Sequence, residues 1–157
     1  MPGRRAHLAP APPGPGRRYR RGMADDELTA AERALVAAAR DVAGRAYVPA
    51  SGFRVGSAVL TEAGGTYAGC NVENASYGLT ICAERSAITA AVAAEGPRTR
   101  VTAVAVHAEA DSCSPCGACR QVIAEVAPEA VVVYRRDGRL VRRAIAELLP
   151  DAFTFRR

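Results

Sequence analysis

The sequence predicts an α/β protein, a three-layer α/β/α sandwich on a mixed five-stranded sheet. Three observations carry that prediction. Apolar residues recur at helical spacing near the start of the folded region. Later runs such as VTAVAVH at 101–107 are short, continuous and apolar, suited to strands buried on both faces. The two kinds of segment alternate along the chain, which places helices on both faces of the sheet.

Leu28, Leu35, Val36, Ala39, Val42, Ala43 and Ala46 form one apolar stripe, so a helix is predicted over 29–46, with Asp25 and Asp26 favouring its start and Pro49 stopping it. Ser51-Gly52 reads as a turn. Two paired strands follow, 53–60 (FRVGSAVL) and 66–72, joined about Glu62-Ala63-Gly64-Gly65. A polar loop over 73–81 leads to a helix over 82–95, which Gly96-Pro97 ends. The third strand is 101–107. Pro115 opens a third helix that stops before Pro128. Strand 130–134, a turn at Asp137-Gly138, strand 139–142 and a short helix over 144–149 complete the order.

At 157 residues the chain suits one domain, 25–157, behind a leader, 1–24. The first 22 residues, MPGRRAHLAPAPPGPGRRYRRG, are rich in proline, glycine and arginine and lack a signal peptide's apolar segment. They read as a disordered leader. Met23 opens an acidic, helix-friendly run and is a candidate true start. Taking the leader's six arginines from the formal charge of +5 leaves −1, so the basic balance belongs to the leader. A polynucleotide site wants cationic surface, so nucleic acid is not an expected partner. Nor is a membrane, since no apolar run approaches the roughly 18 residues of a span. Five cysteines, an odd set with three crowded into 113–119, suit a metal site in the reducing cytoplasm better than a disulfide framework.

Two stretches carry the chemistry: Thr80-Ile81-Cys82-Ala83-Glu84-Arg85 and Ser114-Pro115-Cys116-Gly117-Ala118-Cys119-Arg120-Gln121. Cys116 and Cys119 lie three apart at a helix start, so both sulfurs can face one ion, and the helix's positive end favours thiolates. Alone, this C-x-x-C also fits a redox pair or half of a structural zinc site. Cys82 adds a third sulfur from a second helix start and leaves the fourth position of a zinc ion to water, the open arrangement of catalytic sites. Zinc lowers the pKa of such water towards about 7. Glu84, two residues from a ligand, is placed to take that proton and pass it to a substrate nitrogen. Arg85, three residues after Cys82, can hydrogen-bond a thiolate and offset the negative charge of three sulfurs on one divalent ion. Cys113 reads as a spare thiol in the loop ahead of the helix, and Cys70 as strand packing. Asn71 and Glu73 share one side of a strand end, with Val72 opposite. Together they suit a hydroxyl-bearing ligand, or else cap loop backbone.

With these motifs quoted, and with Ala46-Tyr47-Val48-Pro49, Phe53-Arg54-Val55-Gly56, Gly69-Cys70-Asn71-Val72-Glu73-Asn74-Ala75 and Glu147-Leu148-Leu149-Pro150-Asp151-Ala152-Phe153, the chain resembles the small homotetrameric zinc-dependent cytidine deaminases. The resemblance implies the cytidine deaminase-like sandwich, one Zn2+ per chain on Cys82, Cys116 and Cys119, and hydrolytic loss of ammonia from C4 of cytidine or deoxycytidine. It implies that Glu84 protonates N3 and then the leaving amine, that Asn71 and Glu73 hold the ribose 3′-hydroxyl, and that the Ala83 amide meets the pyrimidine carbonyl. Phe53 would line the pocket, and Phe153 would stack on the base in a neighbouring subunit's site. A tyrosine usual in the family is replaced by Ala50, which bears on packing beside the pocket or at the subunit contact. The nearest alternative is a deaminase of a cytosine-bearing antibiotic such as blasticidin S, with the same zinc signature but a different Asn71/Glu73 region. A binding protein with a closed, structural zinc is the alternative from outside enzymology.

Overall fold

The computed structural model describes residues 28–154; the leader 1–24 with Met23, residues 25–27 and the last three residues lie outside the described residues. Helix α1 (Ala30–Ala43) begins where Thr29 and Glu32 cap each other, each side chain accepting from the other's backbone N–H. Its apolar face, Leu35, Val36 and Ala39, packs on the sheet. The helix ends at Gly44, earlier than the predicted residue 46. The cause is tertiary: Tyr47 donates its N–H to Asn71 and accepts from Glu73, so the chain leaves the helix to pair with a strand end.

Strands β1 (Val55–Thr61), β2 (Thr66–Cys70), β3 (Val101–Ala108), β4 (Val131–Arg136) and β5 (Arg139–Ala144) form one sheet in the order β2-β1-β3-β4-β5. Only β3 and β4 run parallel; the other pairs are antiparallel, which makes the sheet mixed as predicted. The β4–β5 hairpin turns at Asp137 and Gly138, both with positive φ, as a two-residue primed turn requires. Residues alternate along β3 and β4: Val104, Val106, Val132 and Tyr134 face one core, Ala103, Ala105 and Val133 the other. Helices α2 (Ala83–Glu95) and α3 (Gly117–Val126) supply Ile88 and Ile123 to the first core, opposite α1. That is the three-layer sandwich.

Two glycines allow the layers to approach. A Cβ on Gly56 would lie 2.0 Å from the Ala39 carbonyl oxygen of α1, and one on Gly69 2.4 Å from the Ala87 nitrogen of α2. A four-residue helix α4 (Ile145–Leu148) and the segment to Thr154 follow β5. Among the described residues no helix is long and apolar enough to cross a membrane.

Candidate metal centre and active site

Cys82 is the N-cap of α2 and Cys116 the N-cap of α3, both with extended backbone. Neither side chain caps its helix, so both sulfurs are free to face outward from the helix starts. Cys119, in the first turn of α3, is fully buried beneath them. The three Sγ atoms lie within 4.8 Å of one another, and Cys82 and Cys116 are 3.8 Å apart. A tetrahedral zinc with bonds of about 2.3 Å needs sulfurs about 3.8 Å apart, so the donor set and its spacing fit that ion. Cys113 is not in the group: its N–H donates to Arg135 O in the loop ahead of α3, and its thiol packs against the core. The site has three cysteines and an open side.

Burial pushes the Cys82 and Cys119 thiols up, and neighbouring negative charge adds to this: Cys116 and Glu84 for Cys82, Glu84 above all for Cys119. Cys116 is held below the ordinary range: burial opposes this, but hydrogen bonds from the Cys119 backbone and from the Cys119 and Cys82 thiols prevail. Cys113 is pushed up to about 11 by burial and the Glu84 charge, and packs as a neutral thiol. A divalent ion among these sulfurs takes the place of protons.

Glu84 sits in the first turn of α2, 4% exposed. Burial pushes its carboxyl up, partly offset by its own backbone N–H and by a hydrogen bond with the Cys119 thiol. Arg85 donates through Nη2 to Thr80 O (3.0 Å) and to the Cys82 sulfur (3.7 Å). Its Nε is buried without a hydrogen-bond partner, an orphan donor beside the thiols that suits a more negative cluster than three neutral cysteines. Ala83 is fully buried, and its amide, at the first position of α2, has no intrahelical acceptor.

The strand end after Cys70 is pinned beside this site. Val72 exchanges both backbone hydrogen bonds with Ile81, one residue before Cys82. Asn71 Oδ1 accepts from Val55 N (2.8 Å) while its Nδ2 donates to Phe53 O (2.9 Å). The amide thus replaces ladder bonds, which is why β1 begins at Val55 and not at the predicted residue 53. Glu73 Oε2 accepts from Ala50 N (2.8 Å) and Ser51 N (3.3 Å). The Ser51 hydroxyl and these amides hold its carboxyl below the ordinary range, against a smaller opposing effect of burial. Of the two readings of this pair from sequence, the structure shows the capping one: both side chains bond loop backbone. Phe53, 45% exposed, lines a cleft of about 940 Å3 with Cys113, Ser114, Arg120, Tyr134 and Glu147, whereas the three clustered cysteines, Glu84, Asn71 and Glu73 do not line it. Phe153 is 70% exposed.

Arg120 and Gln121, which follow Cys119 directly, carry no role predicted from sequence. Arg120 donates to Pro115 O, Leu148 O and Ser114 Oγ, and Gln121 to Phe153 O. Their adjacency to Cys119 was the available signal; their acceptors lie up to 32 residues away in sequence.

The family model for the cytidine and deoxycytidylate deaminase zinc-binding region matches residues 29–135. The chain is 46% identical over 123 residues to a cytidine deaminase of Sporosarcina psychrophila, covering 76% of this chain and 89% of that one. It is 50% identical over 112 residues to that of Halalkalibacterium halodurans, covering 69% and 83%. The crystal structure of cytidine deaminase from Burkholderia pseudomallei superposes with a TM-score of 0.73 at 45% identity, covering 80% of this chain and 100% of that one.

Proposed function

The chain belongs to the cytidine and deoxycytidylate deaminase family defined by its zinc-binding region, and on that premise we propose how its site works. The reaction is hydrolytic deamination: cytidine and deoxycytidine take up water and become uridine and deoxyuridine, with release of ammonia. The observation that carries this reading is the meeting of three sulfurs and one buried carboxyl at the starts of two helices.

Cys82, Cys116 and Cys119 hold the cofactor, one Zn2+ per chain, which supplies Lewis acidity that makes water nucleophilic at neutral pH. Glu84 takes a proton from the incoming water and delivers it to N3, then takes the proton of the new C4 hydroxyl and passes it to the amine leaving C4. A carboxyl with raised pKa in a dry site suits both halves of that shuttle. Arg85 offsets the charge of the thiolates. The Ala83 amide receives the pyrimidine carbonyl at the open first turn of α2, where the backbone donors lack partners. The Glu73 carboxylate and the Asn71 amide hold the ribose 3′-hydroxyl, and Phe53 lines the pocket.

Phe153 completes the site of a neighbouring subunit by stacking on the base, in a homotetramer. In support, Tyr47, Val72, Tyr77, Leu79 and Phe153 are large apolar residues left exposed on the single chain. We assign residues 25–157 to the catalytic domain and place the protein in cytoplasmic pyrimidine salvage.

The test is Glu84→Gln on zinc-replete protein, followed by the loss of cytosine absorbance. Zinc stays at one per chain while turnover falls by about 10³-fold or more. Undiminished turnover in the variant refutes the assignment.

A further inference from the structure

Helix α3 does more than present two sulfurs. At 100° per residue, the consecutive side chains Cys119, Arg120 and Gln121 fan over about 200° of one turn. Cys119 points into the metal cluster. Arg120 spans two segments: Nε donates to Pro115 O (2.9 Å) and Nη2 to Ser114 Oγ (3.4 Å) in the cysteine loop, and Nη1 donates to Leu148 O (3.1 Å). Leu148 is the last residue of α4, so its carbonyl has no intrahelical donor, and a cation there also meets the negative end of the helix. Gln121 then donates through Nε2 to the main-chain carbonyl of Phe153 at 2.7 Å. Past the Leu149 N–H bond to Ile145 O, the chain leaves regular structure before reaching Phe153.

We propose that Gln121, with Arg120, is a positioning residue: the turn that holds a metal ligand also straps down the C-terminal segment and so sets where the Phe153 ring is presented. The functional half rests on the reading above that Phe153 stacks on the base. Metal cluster and tail are thereby aligned by one rigid element. The aligned tail lowers KM without entering the chemical step.

The test exploits the fact that Gln121 binds main chain. Phe153→Ala removes the ring and keeps the strap, whereas Gln121→Glu keeps side-chain size and removes the donor. On the zinc-loaded full-length protein, Gln121→Glu speeds amide hydrogen exchange of residues 149–154 about fivefold, the loss of one net hydrogen bond. It raises KM for cytidine by a similar factor, with kcat within about twofold and zinc content unchanged. Gln121→Lys, which retains a donor, stays closer to the parent, and Gln121→Glu raises KM no further in a Phe153→Ala background. Arg120→Lys also loosens the tail, because one ammonium cannot serve Pro115 O and Leu148 O together. Unchanged tail exchange in Gln121→Glu, with Phe153→Ala still raising KM, overturns the strap alone. Faster exchange with Phe153→Ala leaving KM untouched removes the stacking role of the ring, and the proposal with it.

Discussion

Replacing Gly69 by alanine tests whether the active site depends on the spacing between β2 and α2. The new methyl would sit 2.4 Å from Ala87 N and 2.7 Å from the carbonyl carbon and Cβ of Ser86, where ordinary contact begins at 3.4 Å. Strand and helix must therefore part by about 1 Å, because the obstacle is chiefly helix backbone and not the tip of a flexible side chain. Overpacking of this kind costs about 3 kcal/mol, the upper end of its usual range, or roughly a 10 °C fall in Tm for a domain of this size. The site feels the same displacement. Asn71 and Glu73 continue from β2, while Cys82 and Glu84 begin α2, so the gap opens between the residues proposed to hold the ribose and the one proposed to move the proton. A misplacement of about 1 Å costs about 10²-fold in turnover. Thermal unfolding at fixed protein and zinc concentration, with cytidine kinetics alongside, measures both. Gly44→Ala is the control: its nearest contact would be the Asp41 carbonyl at 3.6 Å, on ordinary right-handed backbone, and its Tm does not fall. A Gly69→Ala protein that unfolds and turns over like the parent refutes the packing argument.

Arg85→Ala removes the guanidinium that donates to Cys82 and Thr80 O, so kcat drops about tenfold while zinc content, measured by atomic absorption, stays at one per chain; unchanged kinetics would remove Arg85 from the site. Glu32 is 5% exposed and pairs with Arg142 Nε at 2.6 Å. Burial pushes its carboxyl up from the ordinary 4.5, but Arg142 and Thr29 prevail and hold it below. The unfolded chain therefore binds the extra proton first, so this stabilisation is complete well above pH 4.5 and disappears as pH falls through the lower folded value. Glu32→Gln costs about 2 kcal/mol at pH 7, tempered because Arg142 is partly exposed, and flattens the acid limb of a Tm-against-pH series; parallel curves for parent and variant would contradict it.

What could be read from residues alone was whatever local chemistry dictates. The continuous apolar runs at 101–107 and 130–134, the Asp137-Gly138 turn and the proline ahead of Cys116 act over a few residues, and each lies at the element expected. The zinc motif was legible for the same reason: a thiol with a carboxylate two places on, and a thiol pair three apart, mean little except at a metal. Where reading fell short, the competing partner was distant in sequence. The first helix stops at Ala43 because Tyr47 is drawn to Asn71 and Glu73, and β1 starts late because the Asn71 amide occupies the backbone of Phe53 and Val55.

The sequence by itself determined the order of elements and which three cysteines could hold an ion, since periodicity, turn residues and donor type are properties of short segments. Only the tertiary structure decided that Cys82 and Cys116 stand as N-caps with sulfurs 3.8 Å apart, that Glu84 is buried in the first turn of α2, and that Arg120 and Gln121 reach Leu148 and Phe153. Those are distances between segments, and they are set by how two helices pack on one sheet, which no spacing along the chain encodes.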